Sequence, residues 1–404
     1  MPSRAPVCAW IAACVLASPS LAIAQDRSAQ ELVDIIVREG PRAIAIRAEV
    51  DVVRLEQQAR LVFPNPGVSY SREGAGFTEF LQVEQSLPVF GVRGALDRAG
   101  VAAAAVSEAE RDVRLWALRS EATQLVARWI WAQSRLETVE RDVAEVERLI
   151  DVLRVREREG EGSRFDRLRA EQELEELRQA AVAAAVDVSD ARGAVAALLP
   201  AGVTASRVAG VFPATGTVPD AEPLYARAQA ARPELRALAQ GLERSSLEAD
   251  AARYARRPAP LVSGGLKRAD TGVTRENGGV FGVSLAIPLF DTGARDAARW
   301  TAEGTRLTAE RAAVEQQVRA DIDRARDALR LRQQAMDRMG ADTGGDELVS
   351  IAIVAYREGE IGIVTLLDAA RAASRARLRD LERRLDVRLA QIALERAVGD
   401  VLWP

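Results

Sequence analysis

The chain has 404 residues, of which 48% are hydrophobic, only 4% aromatic and 28% charged, with the two signs of charge interleaved. That balance favours long helices over compact aromatic-rich domains. Lys and Arg (55) are slightly outnumbered by Asp and Glu (59), so the basic excess of a nucleic-acid binder is missing. There is no histidine, and both cysteines, Cys8 and Cys14, fall near the N-terminus. Once that segment is removed, His-based acid–base chemistry, Cys nucleophiles, disulfides and most transition-metal sites drop out. No catalytic, cofactor-binding or metal-ligating set is visible, which argues against an enzyme.

Residues 1–24 read as a signal peptide. Arg4 supplies the positive start, Val7 to Leu16 the apolar run, and Ala22-Ile23-Ala24 a small-x-small site cut before Gln25. One alternative is a membrane anchor, although the run is shorter than the roughly 20 apolar residues of a spanning helix. A second is acylation of Cys14 in the lipobox-like Ile11-Ala12-Ala13-Cys14, which would leave an apolar region of about seven residues.

Prolines punctuate the rest. They cluster at 41–88, 200–223 and 233–288, whereas residues 89–199 and 289–403 contain none. Since an interior proline costs a helix about 3 kcal/mol, the two Pro-free stretches predict long helical tracts. In the first, Leu115, Leu118, Ala122, Leu125, Trp129, Ala132 and Leu136 recur at spacings of three and four, and Val139, Val143, Val146, Ile150 and Leu153 continue the stripe. Arg111, Arg114, Glu121, Arg128, Arg135, Glu140, Arg141 and Glu147 form the opposite face, read as water-facing. A helix from about Arg93 to Arg158 would be on the order of 100 Å long. Glu159-Gly160-Glu161-Gly162 then breaks it, Ser163 to Asp166 restart it with a capping-box-like pattern, and a return helix runs to Pro200. Residues 200–223, rich in Gly, Pro, Thr and Ala, read as a connecting segment.

The pattern occurs twice. Pro41, Pro64-Asn65-Pro66, Pro88-Val89-Phe90 and Arg158-Glu159-Gly160-Glu161 are answered, in the same order, by Pro233, Pro258-Ala259-Pro260, Pro288-Leu289-Phe290 and Arg357-Glu358-Gly359-Glu360. The chain therefore divides into a first repeat at 25–199 (β-hairpin about 66–88, helical hairpin about 93–199), the connection at 200–223, and a second repeat at 224–404 (β-hairpin about 260–288, helical hairpin about 293–403). Gly340 to Asp346 interrupts the second tract without a counterpart. Before Pro288, Phe281, Val283, Leu285 and Ile287 alternate with small residues; before Pro88, Leu81, Val83, Gln85 and Leu87 occupy the equivalent positions, with Gln82, Glu84 and Ser86 opposite. Each run follows a shorter partner, Val68–Arg72 or Leu261–Lys267, giving four strands per chain. Strands of roughly ten residues with one apolar face suit a membrane barrel, but four cannot close one, so 8 strands from two chains or 12 from three are the simplest forms. Soluble hairpins capping a helical bundle are the alternative.

These residues resemble the TolC-like outer-membrane efflux protein family. The resemblance rests on the signal peptide, the twofold repeat, Pro64-Asn65-Pro66, Pro88 and Pro288 closing the hairpins, Gly91-x-Arg93, and Tyr356-Arg357-Glu358-Gly359-Glu360-Ile361-Gly362 leading into Leu366-Leu367-Asp368-Ala369. The pattern at 64–66 and 88–93 is similar to the CzcC or CusC-type heavy-metal branch. The resemblance implies a mainly α fold with a β-barrel part: long antiparallel helical hairpins forming an α-barrel across the periplasm, and four strands per chain joining a shared 12-stranded outer-membrane barrel. It also implies a homotrimer in outer-membrane lipid, docked through its helical tips onto a periplasmic adaptor served by an inner-membrane RND-type pump, and passively exporting solutes such as heavy-metal cations. The tips fall at Gly160, Gly162, Ser163 and Phe165 and at Gly359, Gly362 and Val364. Asp166 and Asp368 are candidate lumen or gate carboxylates, with first-turn residues favoured by the helix dipole as the plainer reading. Trp129 reads as core, and Trp131 and Trp300 as surface or subunit-contact residues. A periplasmic adaptor is the other function class, though it would be expected to carry one helical hairpin rather than two.

Overall fold

A computed structural model describes residues 25–74, 77–210, 212, 216–270, 272–339 and 344–403. Residues 1–24, read above as a signal peptide and holding Cys14, and Gly340 to Thr343 of the interruption lie outside the described residues.

Both halves start alike. In the first, strand β1 (Gln25–Ser28) runs into α1 (Ala29–Glu39) and α2 (Pro41–Ala59). Ser28 caps α1 by accepting from the Glu31 N–H at 3.1 Å, and Pro41 opens α2 at the position where a missing N–H costs nothing. The β-hairpin of β2 (Gly67–Glu73) and β3 (Thr78–Ser86) follows, then α3 (Val92–Glu159) and the return helix α4 (Arg164–Ala196). In the second half, β4 (Ala205–Ala209), α5 (Ala221–Ala231) and α6 (Pro233–Ala255) precede the hairpin of β5 (Pro260–Asp270) and β6 (Arg275–Leu285). There the long limb is divided into α7 (Ala294–Met339) and α8 (Gly345–Arg357), and α9 (Ile363–Val398) returns. The segment read as a bare connection thus contains a strand: β4 pairs in parallel with β1 and joins the starts of the two repeats.

At 68 residues, α3 is a rod of about 100 Å. Its buried face changes along that length. Near the β-hairpin it offers Ala95, Ala99, Ala102 and Ala103, small residues that let α2 and α6 approach closely, with Ala251 opposite. In the middle, Leu118, Val126, Trp129 and Ile130 pack on Leu32, Val33 and Ile36 of α1. At the far end, Val146, Ile150 and Leu153 meet both return helices. Trp129 is core, only 1% exposed. Trp131 is half-buried, and Trp300 lies between Arg244 and Arg299, at 5.5 and 4.4 Å from its ring centre.

The charged face of α3 is less free than its sequence suggests. Arg114 pairs with Glu49, Arg135 with Asp187, Glu121 with Arg42 at 2.9 Å and Glu147 with Arg178 at 2.9 Å. These half-exposed pairs contribute about 0–1 kcal/mol each, so they set the register of neighbouring helices more than they stabilise them.

The four hairpin strands form one antiparallel sheet in the order β2-β3-β5-β6. Register puts Val68, Tyr70, Leu81, Val83, Val262, Leu266, Phe281, Val283 and Leu285 on one face and Ser69, Ser71, Gln82, Glu84, Ser263, Gly265, Gly282 and Ser284 on the other. Within one chain the apolar face is open: Val68 is 72% and Phe281 75% exposed. The edges of β2 and β6 have no partner strand among the described residues. Among the same residues, no helix is long and apolar enough to cross a membrane.

Replacing Trp129 by Ala empties the largest buried site of the middle core. It is expected to cost about 3–5 kcal/mol and to lower the thermal midpoint followed by circular dichroism in detergent.

Candidate functional site: the paired helical tips

The end remote from the sheet is built from two helix reversals of one design. Gly160 ends α3 at φ +81° and Gly359 follows α8 at φ +78°, a region that glycine enters without steric cost. In each, two backbone bonds close the helix: Glu161 N–H to Arg156 O (2.9 Å) with Gly160 N–H to Glu157 O (3.2 Å), and Glu360 N–H to Ala355 O (2.9 Å) with Gly359 N–H to Tyr356 O (3.2 Å). This is the Schellman arrangement, and the repeated Arg-Glu-Gly-Glu supplies it twice.

The restarts differ. Ser163 caps α4 by accepting from the Phe165 N–H at 3.1 Å, whereas Gly362 starts α9 with no side-chain cap. A Cβ at Gly162 would lie 2.9 Å from Arg156 Cβ and 3.1 Å from its backbone, while one at Gly362 would meet open space. Phe165 and Val364, one turn beyond each reversal, are 62% and 46% exposed. The tip therefore presents two apolar side chains among Glu159, Glu161, Arg164, Glu358 and Glu360, all exposed.

Behind the tips the hairpins are tied together. Ile150, Leu153, Ala170 and Leu174 of the first pack on Ala352, Tyr356, Ile363, Leu366 and Leu367 of the second. Tyr356 donates its hydroxyl to Asp166 Oδ2 at 2.9 Å, with Arg156 5.7 Å from its ring centre. Burial first, and then the bond to Asp166, push the Tyr356 hydroxyl up to about 12. Deeper in, Arg371 binds the buried Glu173 through two guanidinium nitrogens, one at 2.7 Å, and Arg377 binds the buried Asp142 at 2.6 Å and also reaches Asp346. Ser374 donates to the same Asp142.

Asp166 and Asp368 are thus not gathered within one chain. Asp166 is half-buried on Tyr356, whereas Asp368 is exposed and meets Arg371 at 3.4 Å. Pro88 and Pro288 lie at the opposite end. Each centres a three-residue turn, Val89 N–H to Leu87 O (2.8 Å) and Leu289 N–H to Ile287 O (2.9 Å), which ends its hairpin as the chain turns toward a long helix. Sequence reasoning missed Glu173, Arg371, Asp142 and Arg377. Their signal is a carboxylate or guanidinium at an otherwise apolar helical position, which becomes readable only when the partner helix is known.

Tyr356→Phe is expected to lower stability by about 1–2 kcal/mol at neutral pH, a hydrogen bond to a charged acceptor being lost. Because folding raises the Tyr356 pKa, the contribution is complete below the ordinary tyrosine value of about 10 and is lost as pH rises toward 12. The difference in thermal midpoint between wild type and variant should therefore shrink over that window. Arg371→Ala leaves Glu173 buried without its cation and is expected to cost about 2–4 kcal/mol, with Glu173→Gln in the same chain recovering part of the loss.

Residues 224–400 match the outer membrane efflux protein family. No curated protein matches the chain in sequence. Among solved structures, CusC, described for the conformational changes of folding and transmembrane channel formation, aligns with a TM-score of 0.70 at 16% identity, over 93% of this chain and 92% of that one. The open-state MtrE outer membrane channel of Neisseria gonorrhoeae gives 0.69 at 19% identity, over 93% and 90%. The outer membrane protein VceC of Vibrio cholerae gives 0.68 at 15% identity, over 93% and 97%. The matched family is one of outer membrane efflux proteins. Residues 224–400 thus match the outer membrane efflux protein family in sequence, and nearly the whole chain shares the fold of CusC, MtrE and VceC.

Proposed function

We propose that three copies of this chain assemble into one passive export conduit, with the sheets closing a shared 12-stranded barrel in the outer membrane and the helical hairpins forming a tunnel through the periplasm. The observation that carries this reading is the four-stranded sheet, apolar on one face and open at β2 and β6. In hydrocarbon such edges must find partners, and the same edges on further copies are the available ones. The helices repeat the logic: α4 lies at one side of the helical layer and α7 with α8 at the other, with α3 and α9 between them. Val182 and Val186 on α4, and Leu348, Ile351 and Val354 on α8, are exposed within one chain and suit contact between copies.

At the tips, Gly160, Gly162, Ser163 and Phe165, with Gly359, Gly362 and Val364, form the surface that receives a periplasmic adaptor, itself served by an inner-membrane pump of the RND type. The rigid Schellman reversals fix the backbone there, and Phe165 and Val364 supply the apolar contacts. The Tyr356–Asp166 bond is the contact nearest the tip among those that hold the two hairpins of one chain together, and opening of the tunnel mouth would exchange it for water. Asp368, and Asp166 once released, are then the carboxylates a passing cation would meet. Heavy-metal cations are the cargo favoured by the Pro64-Asn65-Pro66 and Gly91-x-Arg93 pattern. Among the described residues no group of three or more carboxylates is placed to hold a metal ion, so cargo of this kind would pass without a resident site.

Sedimentation of the detergent-extracted protein tests the assembly: a particle of three chains is expected, and a monomer soluble without detergent would sink the conduit. Phe165→Glu with Val364→Glu should abolish cross-linking to the adaptor while leaving the trimer intact. Asp166→Ala with Asp368→Ala should lower the cation preference measured in a planar bilayer; an unchanged preference removes the two carboxylates from the permeation path.

A further inference from the structure

Lys267 is the only lysine in the sequence, where every other basic side chain is arginine. Strand register fixes the face on which it lies. Lys267 sits opposite Phe80 on β3 and Gly278 on β6 and belongs to the polar, small-residue face with Ser71, Gln82, Ser263 and Ser284. The arginines of the four strands, Arg72, Arg268 and Arg275, fall on the apolar face near the hairpin tips, where Arg275 pairs with Asp270 at 2.7 Å and Arg72 lies 4.1 Å from the Phe77 ring centre. Lys267 is therefore the one basic group that the described strands direct to the other side. If the apolar face meets lipid, that side is the water-filled lumen.

Its surroundings leave its charge uncompensated. The ammonium lies 5.7 Å from the centre of the Phe80 ring and makes no ion pair among the described residues. Its same-face neighbours along β5 are Gly265 and Ala269, and a Cβ added at Gly278, across on β6, would meet nothing within 4 Å. Small neighbours on three sides and one aromatic ring on the fourth hold a positive charge over open space. The remaining charges on this face are acidic and stand at other heights: Glu84 toward the proline end, Glu73 and Glu276 toward the tip.

We propose that Lys267 tempers the ion preference of the barrel lumen: a ring of three ammonium groups near the outer mouth, between two acidic levels, that offsets the attraction of those carboxylates for small cations. The proposal rests on the reading of a barrel shared by three chains, which brings the lysine to one height three times. A fixed charge acts strongly there because the wall is of low dielectric and the counter-charges stand off along the axis. The ring acts at the exit, so it would oppose cation preference introduced at the periplasmic tips.

The test is the reversal potential of reconstituted wild-type channels in a potassium chloride gradient, compared with Lys267→Met and Lys267→Glu. The potassium-to-chloride permeability ratio should rise by about twofold or more for Met and further for Glu, with conductance of the same order. A membrane-impermeant acetylating ester added to the outer side should move wild type in the same direction and leave Lys267→Met unmoved, mass spectrometry locating the acetyl group on Lys267. Normal conductance with an unmoved ratio in Lys267→Glu, or a Lys267 that stays unmodified in the conducting channel, overturns the role of Lys267. A wild type that inserts and passes no current instead overturns the shared-barrel reading on which it rests.

Discussion

A strand edge in hydrocarbon has no water to take its free N–H and C=O groups, and each one left unpaired costs several kcal/mol. On the proposed reading, that constraint falls on β2 and β6, the two ends of an otherwise fully paired antiparallel sheet. Everything larger depends on it. In the proposed assembly the sheet is complete only when the edge of one copy pairs with that of the next, and the helices then follow the same rotation because they grow out of the same strands. The γ-turns at Pro88 and Pro288 make this coupling stiff, since each leads within a few residues from the last strand position toward the first turn of a long helix.

The helical part answers a different requirement. A rod of about 100 Å cannot be stabilised by one central core, so α3 meets successive partners along its length. Alanines face the neighbours near the sheet, large side chains centred on Trp129 fill the middle, and a Val-Ile-Leu stripe joins the two hairpins at the far end. Ion pairs occur along the seams. Most are half-exposed and of small energy, but Glu173 and Asp142 are buried, and their cations come from the other repeat. Those two contacts specify how the hairpins align, because a shift of one residue would leave a buried carboxylate without its partner.

The tip combines a rigid feature with a breakable one. The two Schellman reversals are backbone structures that need only glycine in the left-handed region, so they persist whatever the surrounding helices do. The Tyr356–Asp166 bond is a single contact between hairpins, strengthened by burial at the tyrosine and available to be exchanged for water. A fixed backbone shape and a single exchangeable hydrogen bond thus lie within one turn of each other.

Periodicity and punctuation in the sequence determined the element types, the long helix between residues 92 and 159, both reversals at glycine and the alternation of the strands, because these follow from local rules about proline, glycine and spacing. They also exposed the duplication, since a repeated unit repeats its local signals. Only the tertiary structure decided which strands are neighbours. The β3-to-β5 pairing joins residues far apart in sequence, and it is this register that separates the arginines from Lys267. It likewise decided the pairing of β4 with β1, for which five residues in a Gly- and Pro-rich stretch carry too weak a period to read. The fate of the charged positions was decided there too: Glu173 and Asp142 look like solvated helix residues until α9 brings Arg371 and Arg377 against them, because burial belongs to the pair of helices and to neither one alone.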